Sequence, residues 1–550
     1  MSSETTVRRS ANYLPPIWKH DFVQSLTSEF TGEIFVQRFN ELKKDVEVIM
    51  GQTIDEPLKQ LELIDTLQRL GISYHFQNEI KVMLERVNKR DGSDWKKNDL
   101  YATALKFRLL RQHEFNISQE VFENFMDETK NFSTCPSEDI NVILSLYEAS
   151  FLSIEGEDVL EAAKSFAINY LEKYIQSSID ELEIVIVKHA LEIPIPLHWR
   201  MSRLETRWFI DIYERTTNMS PILLEIAKLD FNMVQAIHQE DLKYASSWWR
   251  STGLGEKLSF ARDRLMENFL WTIGVGFEPE FRYFRRMSTK LAAFITTIYD
   301  VYGTLDELEL FTDAVERWEI DAIDQLPDYM KICFLSLHNT INEMAFDVLR
   351  TKGVNVIQCL KKVWVDLCKS YMLEAKWYHS GYKPTFQEYI DNAWISIAGP
   401  VVLTHTYAFV TSPIQNESLK SLKQYDGVIL IRLSSTIQRL ADDLGTSSDE
   451  LRRGDVPKSI QCYMNDHGMS EKNAREHIKQ LIDETWKKLN KVEAKNCMLF
   501  QRFVEMAKNL TRMSQCMYQY GDGHGIEHQE TKDRVMSLLI RPIPIHECTK

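Results

Sequence analysis

The residues best suited to do chemistry lie in the stretch Leu440-Ala-Asp-Asp-Leu-Gly-Thr-Ser-Ser-Asp-Glu450. On a helix, Asp442, Thr446 and Glu450 stand at i, i+4 and i+8 and share one face. Three oxygen donors in a row suit a hard cation such as Mg²⁺, which binds through one or two carboxylates and keeps positions for water and phosphate. Arg439 precedes the stretch, and Arg452, Arg453 and Lys458 follow it. Cations beside metal ligands suit a polyanionic ligand such as a diphosphate. Spacing alone fits a solvated acidic helix end as well. A compact basic pair, Arg262 and Arg264, stands ahead of an aromatic segment with Phe269 and Trp271; taken alone, such a pair is usually a surface feature. Asp300, Asp306 and Glu307 gather in Thr296–Glu307. They read either as ligands or as acids at the start of a new helix, with a C-cap at Gly303 and an N-cap at Thr304.

The elements that must hold these groups are helices. Apolar residues recur at helical spacing, as in Ile143, Leu146, Tyr147 and Phe151, with Ser145 and Glu148 between them. There are 20 glycines and 15 prolines among 550 residues, about half the usual ~12% share. So few breakers favour long helices over a sandwich, barrel or propeller. The length exceeds one ordinary core and suggests about two to four domains. Pro15 and Pro16 mark an irregular arm, and Glu192-Ile-Pro-Ile-Pro-Leu197 a break. The boundary is placed near residues 200–225, giving domains 1–215 and 216–550. The net charge of −15, without a dense Lys/Arg tract, argues against nucleic-acid binding. No run of 18 apolar residues is present, so no membrane span is expected. The eight cysteines form no CxxC pair or zinc spacing and read as reduced, mostly buried thiols. Met1–Val7 resembles neither a signal nor a transit peptide. The expected location is therefore cytoplasmic, or plastidial if a transit segment has been removed.

Together these segments resemble plant class I terpene synthases, most closely the angiosperm monoterpene-synthase clade. Arg8-Arg9, eight residues and Trp18 match the RR(x8)W motif. Ala261–Trp271 matches the RxR region, and Leu440–Glu450 the second metal motif, (N/D)Dxx(S/T)xxxE. Tyr299–Leu308 fits the segment around the first metal motif, and Glu374–Trp377 and Tyr520–His524 fit as well. The resemblance implies an all-α fold with an N-terminal α-barrel-like helical domain and a C-terminal class I isoprenoid-synthase helical domain. It implies a monomer that binds a prenyl diphosphate through three Mg²⁺ ions, with Mn²⁺ as a possible substitute. Asp300, Glu374, Asp442, Thr446 and Glu450 would hold metal. Arg262, Arg439 and Lys458 would bind substrate. Arg262, Arg264, Trp271, Tyr520 and Asp522 would serve the reaction, the last two from a closing loop. Trp271 would face the allylic cation, a cation–π contact worth ~2 kcal/mol. No class II DxDD motif occurs. The RR(x8)W motif favours geranyl diphosphate over farnesyl diphosphate, while the short N-terminus points the other way.

The pattern departs from the family at its first metal motif, DDxxD. Only Asp300 remains, and Ile295-Thr-Thr-Ile298 runs straight into Tyr299-Asp300. The simplest alignment deletes Asp-Asp-x rather than placing Thr296 and Thr297 at the acidic positions. Losing three helical residues shortens a helix by roughly 4.5 Å and turns one half by roughly 60° against the other. Threonine hydroxyls do not replace the lost charge. The fold is expected to survive this change better than the activity, with an inactive folded homologue as the limiting case.

Overall fold

The computed structural model describes residues 13–89, 98–132, 139–178, 180–191, 195–301, 305–415, 428–452, 454, 456–492, 501–525 and 528–545, with isolated positions between 417 and 424. Among these residues every regular element is helical and no strand occurs. The all-α architecture expected from the low Gly and Pro content is the one observed. The chain divides into two compact units: Ser28–Ala236 with Arg541–Lys550, and Met1–Thr27 with Ile237–Ile540. Their junction falls inside the helix Pro221–Thr252 rather than in a linker.

In the unit Ser28–Ala236, the stripe Ile143, Leu146 and Tyr147 is buried on the helix Ile140–Ser150, and Phe151 is its buried C-cap. Asp139 starts this helix by accepting a hydrogen bond from the Asn141 backbone N–H. Neighbouring helices Leu100–Gln112 and Asp158–Ser177 pack against it around Phe107, Phe122, Leu146 and Leu160. The break anticipated at 192–197 lies between the helix ending at Leu191 and the 3₁₀ turn Leu197–Trp199; residues 192–194 are outside the described residues. A buried charge cluster centres on Glu205, which meets Arg200 at 3.1 Å, His189 at 2.8 Å and Arg69 at 3.6 Å. Burial opposes the Glu205 charge, but Arg200, His189 and Arg69 outweigh it and hold the carboxyl down at about 2.

In the unit containing Ile237–Ile540, the largest fully buried side chains include Trp364, Trp486, Tyr389 and Phe269. The helix Ile429–Arg452 packs along Gln501–Tyr518, and Leu265–Val275 packs on Arg282–Val301 and on Gln501–Tyr518. Gly445 permits the first of these approaches. A Cβ there would lie 2.7 Å from the Tyr518 carbonyl oxygen and 3.0 Å from that of Gly521. The stretch Phe386–Val410 is long and apolar enough to cross a membrane by length and composition, although polar residues such as Asn392, Ser396 and His405 interrupt its apolar run. It is a core element: 78% of its most apolar window is buried. It is also broken in two. A Thr385/Glu388 capping box starts Phe386–Ser396, and Ala398, in the left-handed region at φ 65°, separates it from Gly399–Val410. The five described cysteines, Cys333, Cys359, Cys368, Cys462 and Cys516, are free and buried, as expected.

Two outcomes follow from this packing. Gly445→Ala should lower stability in chemical denaturation, because overpacking against backbone costs about 1–3 kcal/mol. The gain in helix propensity, at most about 1 kcal/mol, does not offset it. The Glu205 carboxyl binds its proton less readily when folded than when unfolded, so its contribution is complete above pH about 4.5. That contribution is lost as the pH falls toward 2. Denaturation at a series of pH values should show this loss, and Arg200→Met should move it to higher pH.

Candidate active site

The helix Ile429–Arg452 brings Asp442, Thr446 and Glu450 onto one wall of a cavity, as their spacing requires. The Thr446 hydroxyl donates to Glu450 Oε2 at 3.1 Å and to the Asp442 carbonyl at 2.9 Å. Lys458 Nζ lies 3.8 Å from Glu450 Oε2. Arg439, one turn earlier, pairs with Asp442 and, at 3.1 Å, with Asp443. Burial works against the Arg439 charge, but the field of Tyr389, Asp443, Glu374 and Glu450 raises its pKa, so it stays charged. Asp443 is turned about 100° from Asp442. It leaves the cavity and accepts hydrogen bonds from the Tyr389 hydroxyl at 2.9 Å and the Ser459 N–H at 3.1 Å. The reading of this stretch as a solvated helix end is therefore corrected: Asp442 is only 7% exposed.

The same cavity is lined by Arg262, Asp522 and His524, and by Trp271, Phe284, Ile295, Tyr371, Leu510 and Tyr518. Trp271 meets Tyr518 at 6.0 Å and His524 at 6.4 Å between ring centroids. Burial, reinforced by Arg262, lowers the His524 pKa to about 4, so its ring is neutral near pH 7. Asp522 shapes its own turn by accepting the Gly525 N–H at 2.6 Å and the His524 N–H at 3.3 Å. Cationic and acidic groups thus share one cavity with an aromatic wall. That combination fits a ligand with a polyanionic head and an apolar body.

Several sequence-derived site residues stand elsewhere. Asp300 does not line the cavity. It is fully buried and is held by Arg262 through Nε at 3.0 Å, Nη2 at 3.0 Å and the backbone N–H at 2.8 Å. Tyr299, the preceding residue, takes the cavity-facing place. Arg264 is buried away from the cavity and donates to the carbonyls of Leu14 and Gly525. It ties down two irregular segments rather than meeting a ligand. Tyr520 is 55% exposed and lies under the Arg534 guanidinium, while Tyr518 and Asp522 on either side face inward. Glu374 is buried, accepts from Asn392 Nδ2 at 3.3 Å and acts on Arg439 through its field, without reaching the cavity wall. Glu307 accepts from the Tyr329 hydroxyl at 2.7 Å, and Asp306 is exposed in the same first helical turn, as the capping alternative expects. Arg8, Arg9, Gly303, Thr304 and Arg453 lie outside the described residues. Tyr13, Tyr371 and the left-handed Ala398 were not identified from sequence, and His524 was named only as the end of the Tyr520–His524 segment without a role, although all line the cavity. Only Ala398, beside Gly399-Pro400, carries a local signal of a helix break.

Asp442, Thr446 and Glu450 fit a divalent cation. A buried carboxylate, a partly buried one and a hydroxyl line a polar wall, and Arg439 and Lys458 already show that the wall attracts positive charge.

Sequence comparison agrees with this combination of fold and site. Residues 17–191 match the profile "Terpene synthase, N-terminal domain", and residues 250–488 match "Terpene synthase family, metal binding domain". Terpene synthase 10 of Ricinus communis is 62% identical over 99% of both chains. A chloroplastic myrcene synthase of Quercus ilex is 58% identical over 99% of this chain and 92% of its own length. A crystal structure of limonene synthase with 2-fluorolinalyl diphosphate superposes with a TM-score of 0.93 at 45% identity, covering 98% of this chain and 100% of that one. The chain belongs to the terpene synthase family, a family of lyases, and its relatives include plant monoterpene synthases.

If the acidic wall binds metal, Asp442→Asn or Glu450→Gln should abolish the Mg²⁺-dependent rise in melting temperature caused by inorganic diphosphate. A ligand at 100 times its dissociation constant stabilises a protein by ~2.7 kcal/mol. An unchanged shift in both variants would place the metal elsewhere.

Proposed function

We propose that this protein is a Mg²⁺-dependent monoterpene synthase that ionises geranyl diphosphate, with turnover lowered by the altered first metal motif. The observation that carries this reading is the joining, in one cavity, of Asp442, Glu450, Arg439 and Lys458 with the aromatic groups of Trp271, Tyr371 and Tyr518. The similarity to monoterpene synthases along nearly the whole chain supports the ten-carbon substrate. Bound at the acidic wall, Mg²⁺ would neutralise diphosphate charge and favour departure of the leaving group. Asp442, Thr446 and Glu450 would hold it. Arg439 and Lys458 would donate charge-assisted hydrogen bonds to diphosphate oxygens. The aromatic wall would stabilise the allylic cation by its ring faces and keep water from capturing it early. The chloroplastic relative supports a plastidial site of action.

Incubation with geranyl and farnesyl diphosphate, each with Mg²⁺ or Mn²⁺, tests the reading by gas chromatography. Ten-carbon products are expected. Fifteen-carbon products alone would move the assignment to a sesquiterpene synthase. A second reading, a folded homologue that binds diphosphates without turnover, draws on the capture of Asp300 by Arg262. Absence of products from both substrates, with ligand binding retained, would favour it.

Repair of the motif offers a further prediction. The helix Arg282–Val301 is continuous through Tyr299 and Asp300. Inserting Asp-Asp-Ile between Ile298 and Tyr299 puts the first new carboxylate at the cavity-facing position. The second takes the place opposite Arg262, and the original Asp300 moves to four residues after the first, on the same face. Thr296→Asp with Thr297→Asp does less. Thr296 lines the cavity, but Thr297 is buried and bonded to the Ala293 carbonyl. The insertion should exceed the double substitution by at least roughly tenfold in turnover, ~1.4 kcal/mol of barrier. Equal rates would refute the deletion.

A further inference from the structure

The cavity's carboxylates are unevenly placed. Asp442 and Glu450 come from one helix. Asp522 is the third, and its Oδ1 is engaged by the N–H groups of His524 and Gly525. The helix Arg282–Val301 presents Ser288, Ala292, Ile295, Thr296 and Tyr299 to the cavity, a face without a carboxylate. Its nearest acid, Asp300, is about 100° further round and fully buried, with both oxygens bonded to the Arg262 guanidinium. Tyr299 fills the space instead. Its ring meets Tyr371 edge-on at 5.4 Å and lies 5.5 Å from the Arg262 guanidinium carbon. Turning Asp300 inward would expel Tyr299 and leave Arg262 buried without this partner.

We infer that this chain holds a diphosphate with a single divalent ion, seated on Asp442, Thr446 and Glu450, and that Tyr299 and Arg262 close the facing wall where further ions would need carboxylates. The inference rests on the diphosphate-binding reading of the cavity and replaces the three ions implied by family resemblance. One ion with two protein carboxylates and ligand phosphate oxygens satisfies the coordination habits of Mg²⁺. Charge on the facing side comes from fixed side chains rather than from metal.

Equilibrium dialysis of the full chain against Mn²⁺ and inorganic diphosphate, with metal measured by atomic absorption, counts the ions directly and needs no turnover. One diphosphate-dependent Mn²⁺ per chain is expected, unchanged in Tyr299→Phe and absent in Glu450→Gln. Tyr299→Asp, which adds a carboxylate to the facing wall, should raise the count above one. Two or more ions in the unmodified chain would overturn the inference while leaving the diphosphate-binding reading intact. A count that stays at one in a folded Tyr299→Asp protein would overturn the role given to Tyr299. No diphosphate-dependent Mn²⁺ at all would overturn both the inference and that reading.

Discussion

The ion pair between Arg262 and Asp300 governs the candidate site. It is buried, bidentate and reinforced by the Arg262 backbone N–H. Burial works against the guanidinium charge, but Asp300 raises its pKa, so Arg262 stays charged. Breaking such a pair by removing one partner costs about 3–5 kcal/mol, because the other charge is left uncompensated. The pair therefore sets the register of the last turn of the helix Arg282–Val301. Because consecutive residues on a helix point about 100° apart, holding Asp300 outward commits Tyr299 to the cavity. Charge and aromatic surface on that wall are two results of one constraint.

The opposite wall depends on close packing. Gly445 follows Asp442 and precedes Thr446 and Glu450 on the same helix, and its missing Cβ lets this helix touch the backbone around Tyr518 and Gly521. The face carrying Asp442, Thr446 and Glu450 and the turn carrying Asp522 are thereby brought together. Arg264 acts at longer range, joining the carbonyls of Leu14 and Gly525. Its buried charge is spent on backbone groups, which explains why only Arg262 of the basic pair reaches the cavity.

The cavity balances charge before any ligand arrives. Arg439 rests on Asp442 and Asp443, and Lys458 stands near Glu450. A cation that takes the carboxylates frees these basic groups to meet an anion. Metal and diphosphate would then support each other's binding through one set of side chains.

Some of this could be read from the chain alone. Few glycines and prolines with a 3.6-residue apolar period yield helices whatever surrounds them, and i, i+4, i+8 spacing puts Asp442, Thr446 and Glu450 on one face by backbone geometry. These are local properties, set by one element's own periodicity. What the chain alone did not decide is which way neighbouring residues turn. Tyr299 rather than Asp300, Tyr518 rather than Tyr520, and Asp442 rather than Asp443 face the cavity because partners distant in sequence claim the alternatives. Arg262 takes Asp300, and Tyr389 with Ser459 takes Asp443. A helix fixes the angle between two adjacent side chains, but only the packing around it decides which one looks inward.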